Sequence, residues 1–122
     1  MAFTVVEYVR EDGLNPYKRW FDSLDAPAAT RVAVARARLE AGNTSNLKRI
    51  GPIAECRIDG GPGYRIYLAV EGTTVIILFG GGVKKRQKSD IRRAQHLFEE
   101  YAVRKRARKP AQATRGDDAT DT

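Results

Sequence analysis

Five residues, Asp59-Gly60-Gly61-Pro62-Gly63, separate two runs suited to extended chain, Ala54 to Ile58 and Tyr64 to Leu68. A glycine-rich turn between such runs signals a β-hairpin, because glycine takes the left-handed backbone conformations that tight turns need. Counting outward from Gly61 sets Ile58, Cys56 and Ala54 opposite Tyr64, Ile66 and Leu68, which makes one face apolar. The other face receives Glu55, Arg57, Arg65 and Tyr67, with Arg57 directly across from Arg65. Like charges opposed on a sheet repel, so the pairing calls for an anion between the two guanidiniums.

The rest of the chain supplies elements to pack on this hairpin. Phe3 to Val9 is rich in β-branched and aromatic residues and reads as a strand. Asn15-Pro16 opens a helix, with Asn15 as N-cap, and Tyr17, Trp20, Phe21 and Leu24 fall on one helical face. Asp25 caps a second helix, whose apolar stripe is Ala28, Val32, Ala35 and Leu39 and whose stop is Gly42-Asn43. Thr44 to Gly51 reads as a polar linker. After the hairpin, Glu71-Gly72 is a second tight turn, and Thr73 to Phe79 is a strand. A two-residue loop there pairs Val75 with Leu68, Ile77 with Ile66 and Phe79 with Tyr64, leaving Ile76 and Leu78 beside Tyr67 and Arg65. Gly80-Gly81-Gly82 ends that strand. A final helix is expected from Ser89 to Val103, with Ile91, Ala94, Phe98 and Tyr101 inward.

The order β, α, α, β, β, β, α implies an α+β domain. Its expected plan is an N-terminal strand, a helical hairpin, a three-stranded antiparallel meander joining the first strand in one sheet, and a C-terminal helix. The domain spans residues 1–103, and 104–122 form a basic, then polar and acidic, disordered tail.

Composition narrows the partners. The formal net charge is +7 over 122 residues, which favours an anionic partner and nucleic acid first. Cys56 is the only cysteine, so neither an internal disulfide nor a cysteine metal cluster can form. His96 is the only histidine and falls within the last helix, which leaves no histidine metal site or Ser-His-Asp triad. Nothing in the chain calls for a metal or a cofactor. The N-terminus lacks a signal-peptide pattern, and the longest apolar run, Val75 to Phe79, is too short to cross a bilayer, so a cytoplasmic protein is expected.

The chemistry concentrates at one end of the sheet. Glu55, Arg57, Arg65 and Tyr67 lie on the middle strands, and Lys84, Lys85, Arg86, Gln87 and Lys88 follow the last strand. Guanidiniums that fork onto phosphate oxygens stabilise an anionic transition state, and nearby lysines add charge or donate protons. Glu55, Tyr67 and the lysines are the candidates for proton transfer. A plainer arrangement is equally open: Arg57 pairs with Glu55 or Asp59, Arg65 pairs with Asp59 or Glu7, and the lysine-rich segment is simply solvated.

Two motifs together, Gly61-Pro62-Gly63-Tyr64-Arg65-Ile66-Tyr67 and Gly81-Gly82-Val83-Lys84-Lys85-Arg86-Gln87-Lys88-Ser89-Asp90-Ile91, resemble the RelE/ParE toxin superfamily, and its HigB-like branch of addiction module killer proteins most. Asn15-Pro16, Trp20-Phe21 and Glu55-Cys56-Arg57-Ile58 fit the same pattern, which covers Phe3 to Val103. The resemblance implies a toxin of a type II toxin–antitoxin system that cleaves mRNA on the ribosome by 2′-hydroxyl attack. Its partners would be the ribosome, mRNA and a cognate antitoxin, a helix-turn-helix protein from the adjacent reading frame. Arg65 would contact the scissile phosphate. Arg57, Lys84, Arg86 and Gln87 would complete the site with Glu55, while Lys48, Arg49, Lys85 and Lys88 would hold RNA backbone. The chain departs from RelE at Ile53 and Glu55, where RelE carries lysines, and at Arg92, where RelE has a tyrosine. The ParE branch shares the fold and inhibits DNA gyrase without a nuclease site; such a gyrase inhibitor, or a regulatory relative that binds its antitoxin and has no nuclease activity, is the alternative implied.

Overall fold

The computed structural model describes residues 2–120, with side chains as far as Arg108. Its elements run β1 (Thr4–Glu7), α1 (Pro16–Asp22), α2 (Ala26–Glu40), β2 (Leu47–Ile50), β3 (Ile53–Arg57), β4 (Tyr64–Glu71), β5 (Val75–Val83), a single 3-10 turn (Lys84–Arg86) and α3 (Gln87–Thr120). The strands form one five-stranded mixed sheet in the order β1-β5-β4-β3-β2, with β1 parallel to β5 and the other pairs antiparallel. The architecture is therefore α+β, with helices on both faces of the sheet.

Local chemistry sets the helix ends. The Asn15 side chain accepts from the Lys18 amide at 3.0 Å, and Pro16 takes the first helical position, where it forfeits no hydrogen bond. Asp25 accepts from the Ala28 amide at 2.9 Å. Gly42 ends α2 with a φ of 98°, and the amides of Gly42 and Asn43 return to the carbonyls of Leu39 and Arg38.

β3 and β4 pair as the glycine turn implies, with Ala54 opposite Leu68, Glu55 opposite Tyr67, Cys56 opposite Ile66 and Arg57 opposite Arg65. Beyond Leu68 the sheet departs from expectation. Leu68 pairs with Leu78 and Glu71 with Val75, and a bulge at Phe79 precedes the pairing of Tyr67 with Gly80. Ile76 and Leu78 thus join Ile66 and Leu68 beneath α1 and α2, together with Tyr17, Val32 and Leu39. Ile77 and Phe79 join Tyr67, Ala69, Ala94 and Leu97 beneath α3. The apolar run has no alternation because both of its faces are buried.

The glycine triplet does not end β5 but lies within it. A Cβ at Gly81 would enter the Trp20 ring, and one at Gly82 would strike the Asp90 carboxylate. These positions bring α1 and α3 down onto the strand. The expected polar linker likewise contains a strand, β2, so the sheet has one more strand than the meander plan. Leu47 opposite Cys56 extends the core under α2, Ile50 opposite Ile53 extends the core under α3, and Lys48 and Arg49 between them stay exposed.

Helix α3 continues past Val103. Arg104 donates to the Tyr8 hydroxyl at 3.1 Å and to the Val9 carbonyl at 2.9 Å, and Lys105 pairs with Glu71. Arg104 to Arg108 are therefore helix rather than the start of a tail. α3 runs on to Thr120 through the segment expected to be disordered, and residues 121 and 122 of that expectation lie outside the described residues. No helix among the described residues is long and apolar enough to cross a membrane.

Candidate functional site

Glu55 stands at the middle of β3 with none of its surface exposed, flanked by Lys48 on β2 and Tyr67 on β4. A carboxylate so buried persists only with donors around it. Its Oε2 accepts from Arg57 Nε at 3.3 Å, and its Oε1 accepts from Gln87 Nε2 at 2.7 Å. Arg65 Nε stands 3.5 Å from Oε1, an ion-pair distance without hydrogen-bond geometry. The anion called for by the opposed arginines is thus present in the chain itself. Glu55 serves both of them, and neither Asp59 nor Glu7 pairs with Arg65.

Gln87 reaches Glu55 because β5 runs on to Val83 and one 3-10 turn then delivers the first residue of α3. Arg65 Nη1 donates to the Gly63 carbonyl at 2.8 Å, which fixes the guanidinium at the turn. Gly63, with a φ of 78°, leaves room for that Nη1 and for Lys84 Cβ, while the Lys84 amide faces the Pro62 carbonyl at 3.4 Å. The structure therefore brings together Glu55, Arg57, Arg65, Gln87 and Lys84. Arg86 lies at the edge, where its charge acts on Asp90. Accessibility divides the cluster: the Arg57 side chain is 52% exposed and that of Arg65 is 8% exposed, whereas Lys84, Lys85, Arg86 and Lys88 lie on the surface.

The residues expected to hold RNA backbone do not share one face. Lys48 lies on the Glu55 face of β2, but Arg49 pairs with Ala54 on the opposite face and donates to the Gly51 carbonyl at 3.4 Å.

Two further residues complete the environment, and one of them, Asp90, was not among the expected site residues. Arg65 Nε, Tyr67 Oη and Asp90 Oδ2 are buried without a hydrogen-bond partner among the described residues. All three lie on the α3 side of β4 and β5. Burial pushes the Asp90 carboxyl above its ordinary range, against the opposing pull of Arg93 and Arg86. The Tyr67 hydroxyl is pushed up to about 12, first by burial and then by the charges of Glu55 and Asp90, so it remains a proton donor at neutral pH. Asp90 was findable: it follows Gln87 by three residues, which places both on one side of a helix, and it needs a glycine beneath it. Tyr67 and Asp90 also border a cleft of about 610 Å³ between α1 and α3, whose walls include Trp20, Phe79 and Leu97. Cys56 takes no part: burial pushes its thiol up to about 11.

An α+β domain with a basic cluster around a buried carboxylate is what the fold and the site define. No protein-family model matches the chain, and no solved structure matches it. A Haemophilus influenzae protein, described only as uncharacterized, is 35% identical over 89 residues, covering 71% of this chain and 90% of the relative. The chain belongs to the same family as that Haemophilus influenzae protein.

Proposed function

We propose that this protein is a RelE-like toxin of a type II toxin–antitoxin system, of the HigB-like branch, that cleaves mRNA on the ribosome. The observation that carries the reading is the charge balance at the glycine turn. Two arginines share the single carboxylate of Glu55, and Lys84 and Arg86 add exposed positive charge at the rim, neither in an ion pair among the described residues. A phosphodiester entering there meets an excess of donors, the requirement for stabilising a dianionic phosphorane. The two sequence motifs that resemble the RelE/ParE superfamily lie on the glycine turn and β4, and on the end of β5, the 3-10 turn and the start of α3, which build this cluster.

In this mechanism Arg57, the exposed member of the pair, exchanges the Glu55 carboxylate for the phosphate oxygens. Glu55 Oε2 is then free to take the proton of the 2′-hydroxyl as its oxygen attacks phosphorus. Lys84, next to Arg65 at the turn, returns a proton to the departing 5′-oxygen. The products are a 2′,3′-cyclic phosphate and a 5′-hydroxyl end. Arg65 and Gln87 hold the site in place, and the adjacent cleft beside Tyr67 offers room within the ordinary size range of ligand pockets. The cognate antitoxin would be a helix-turn-helix protein encoded beside this chain.

One observation favours a second reading, a ParE-like inhibitor of DNA gyrase with no catalytic site. Arg65 is almost wholly inside and already shares a carboxylate, as in a purely structural ion cluster. Expression of the wild type, Arg65→Ala and Lys84→Ala in bacteria, with mapping of mRNA 5′ ends, separates the two. Cleavage predicts new 5′ ends with the wild type, their loss with Arg65→Ala, and a reduction of roughly 10²-fold with Lys84→Ala, the scale of removing one transition-state donor. Toxicity without new 5′ ends, unchanged in both variants, would overturn the nuclease reading.

A further inference from the structure

The glycine turn has a second cationic side. On α2, Arg31 and Arg38 lie two helical turns apart on one face. With Arg57, Asn43, Asn46 and Val34 they line a cleft of about 250 Å³ on the sheet face away from α3. Arg31 Nη1 sits against Gly60 and Gly61, where a Cβ on Gly60 would collide with it, and donates to the Asp59 carbonyl at 3.4 Å. Among the described residues Arg31 and Arg38 make no ion pair, whereas Arg36, on another face of the same helix, is paired with Glu7 at 2.6 Å. Three arginines thus line this cleft against one carboxylate, Asp59.

The two sides are continuous. Gly60 and Gly61 carry Arg31 on the α2 side, and Gly63 carries Arg65 and Lys84 on the α3 side. Arg57 belongs to both, since it donates to Glu55 and also lines the α2 cleft. Side chains on the turn would block the guanidiniums that its glycines admit. The result is a band of cations crossing the end of the sheet, with amides and an exposed valine (Val34) set among them for ribose and base.

We propose that Arg31, Arg38 and Arg57 form a second phosphodiester-binding site, and that a single-stranded polynucleotide crosses the glycine turn from α2 to reach the exposed Lys84 on the α3 side. The site rests on the preceding reading only for the identity of the polymer as RNA. A polyanion spanning both sides releases counterions at each phosphate it contacts, so its binding weakens linearly in log salt.

The test is fluorescence anisotropy of a short labelled RNA whose riboses are all 2′-O-methylated, titrated across salt concentrations. The proteins are the wild type, Arg31→Ala/Arg38→Ala, Arg31→Lys/Arg38→Lys, and Lys18→Ala/Arg19→Ala as a charge-matched control on α1. The alanine pair on α2 binds about tenfold more weakly at low salt and has a salt slope shallower by about 1.4, the value for two lost single-strand phosphates. The lysine pair retains most of the slope, the α1 control matches the wild type, and thermal melts show all four proteins folded. DNA of matching sequence, which carries the same phosphates, shows the same loss. A wild type that does not bind the oligonucleotide, a slope unchanged in Arg31→Ala/Arg38→Ala, or an equal loss in the α1 control overturns the proposal. The oligonucleotide cannot be cut, so this outcome is independent of whether mRNA is cleaved in cells.

Discussion

Glu55 is the residue on which the site depends. A carboxylate wholly removed from water, holding one guanidinium that is itself 8% exposed, is an ion pair whose halves cannot be separated cheaply. Glu55→Ala leaves Arg65 buried without its counter-ion and strands the Gln87 amide. The expected loss is roughly 3–5 kcal/mol in urea unfolding, against less than about 1 kcal/mol for Lys84→Ala at the exposed rim. A small loss from Glu55→Ala would mean that Arg65 moves out to water. The pairing of Arg57 with Arg65 was legible in the sequence because register follows from the turn. That Glu55 is the shared anion was not, since three nearby carboxylates were equally eligible by position and only the α3 contact through Gln87 distinguishes one.

At the scale of elements, the helices were the most legible. Asn15-Pro16 and Asp25 mark their starts by a mechanism that needs no tertiary context, and the observed caps follow. β2 and β5 were least legible. Leu47-Lys48-Arg49-Ile50 carries one apolar residue to each face of the sheet, so neither helical nor strand periodicity appears. The glycine triplet has the composition of a stop and the conformation of a strand, because what requires glycine there is the neighbour above it. Gly81→Ala tests this directly. Among the glycines of positive φ Gly81 does not appear, so the cost is steric: a methyl group directed into the Trp20 ring. Overpacking of that kind costs about 1–3 kcal/mol in chemical denaturation. Gly72→Ala, at a turn with open space around it, would cost only its backbone strain at a φ of 62°.

At the scale of the whole molecule, the segment that follows β1 is latched to the middle of α3. Glu100 on α3 accepts from the Tyr8 hydroxyl at 2.6 Å and from Arg10 Nη2 at 2.8 Å. The Arg10 hydrogen bonds hold its carboxyl below the ordinary range. A carboxylate with a depressed pKa stabilises the folded state above its unfolded value, and that contribution disappears as pH falls through the folded value. Glu100→Gln should therefore lower Tm at pH 7, by the equivalent of about 1 kcal/mol given the partial exposure of the pair. The difference from the wild type should close in strong acid, and a deficit of the same size at pH 3 would show that the latch works by shape and not by charge. The same closure has a consequence during synthesis. Thr4 pairs with Val75 and Glu7 with Leu78, so β1, made before the other four strands of this sheet, finds its partner only after most of the domain has followed. The helical hairpin and the β2–β4 meander assemble from near neighbours, but β1 must wait as an unpaired edge until translation has supplied β5. Nascent chains halted before Val75 would hold the arginine hairpin without the strand that seats it. The cation cluster is thus completed late, only once β5 and the start of α3 have followed the hairpin out.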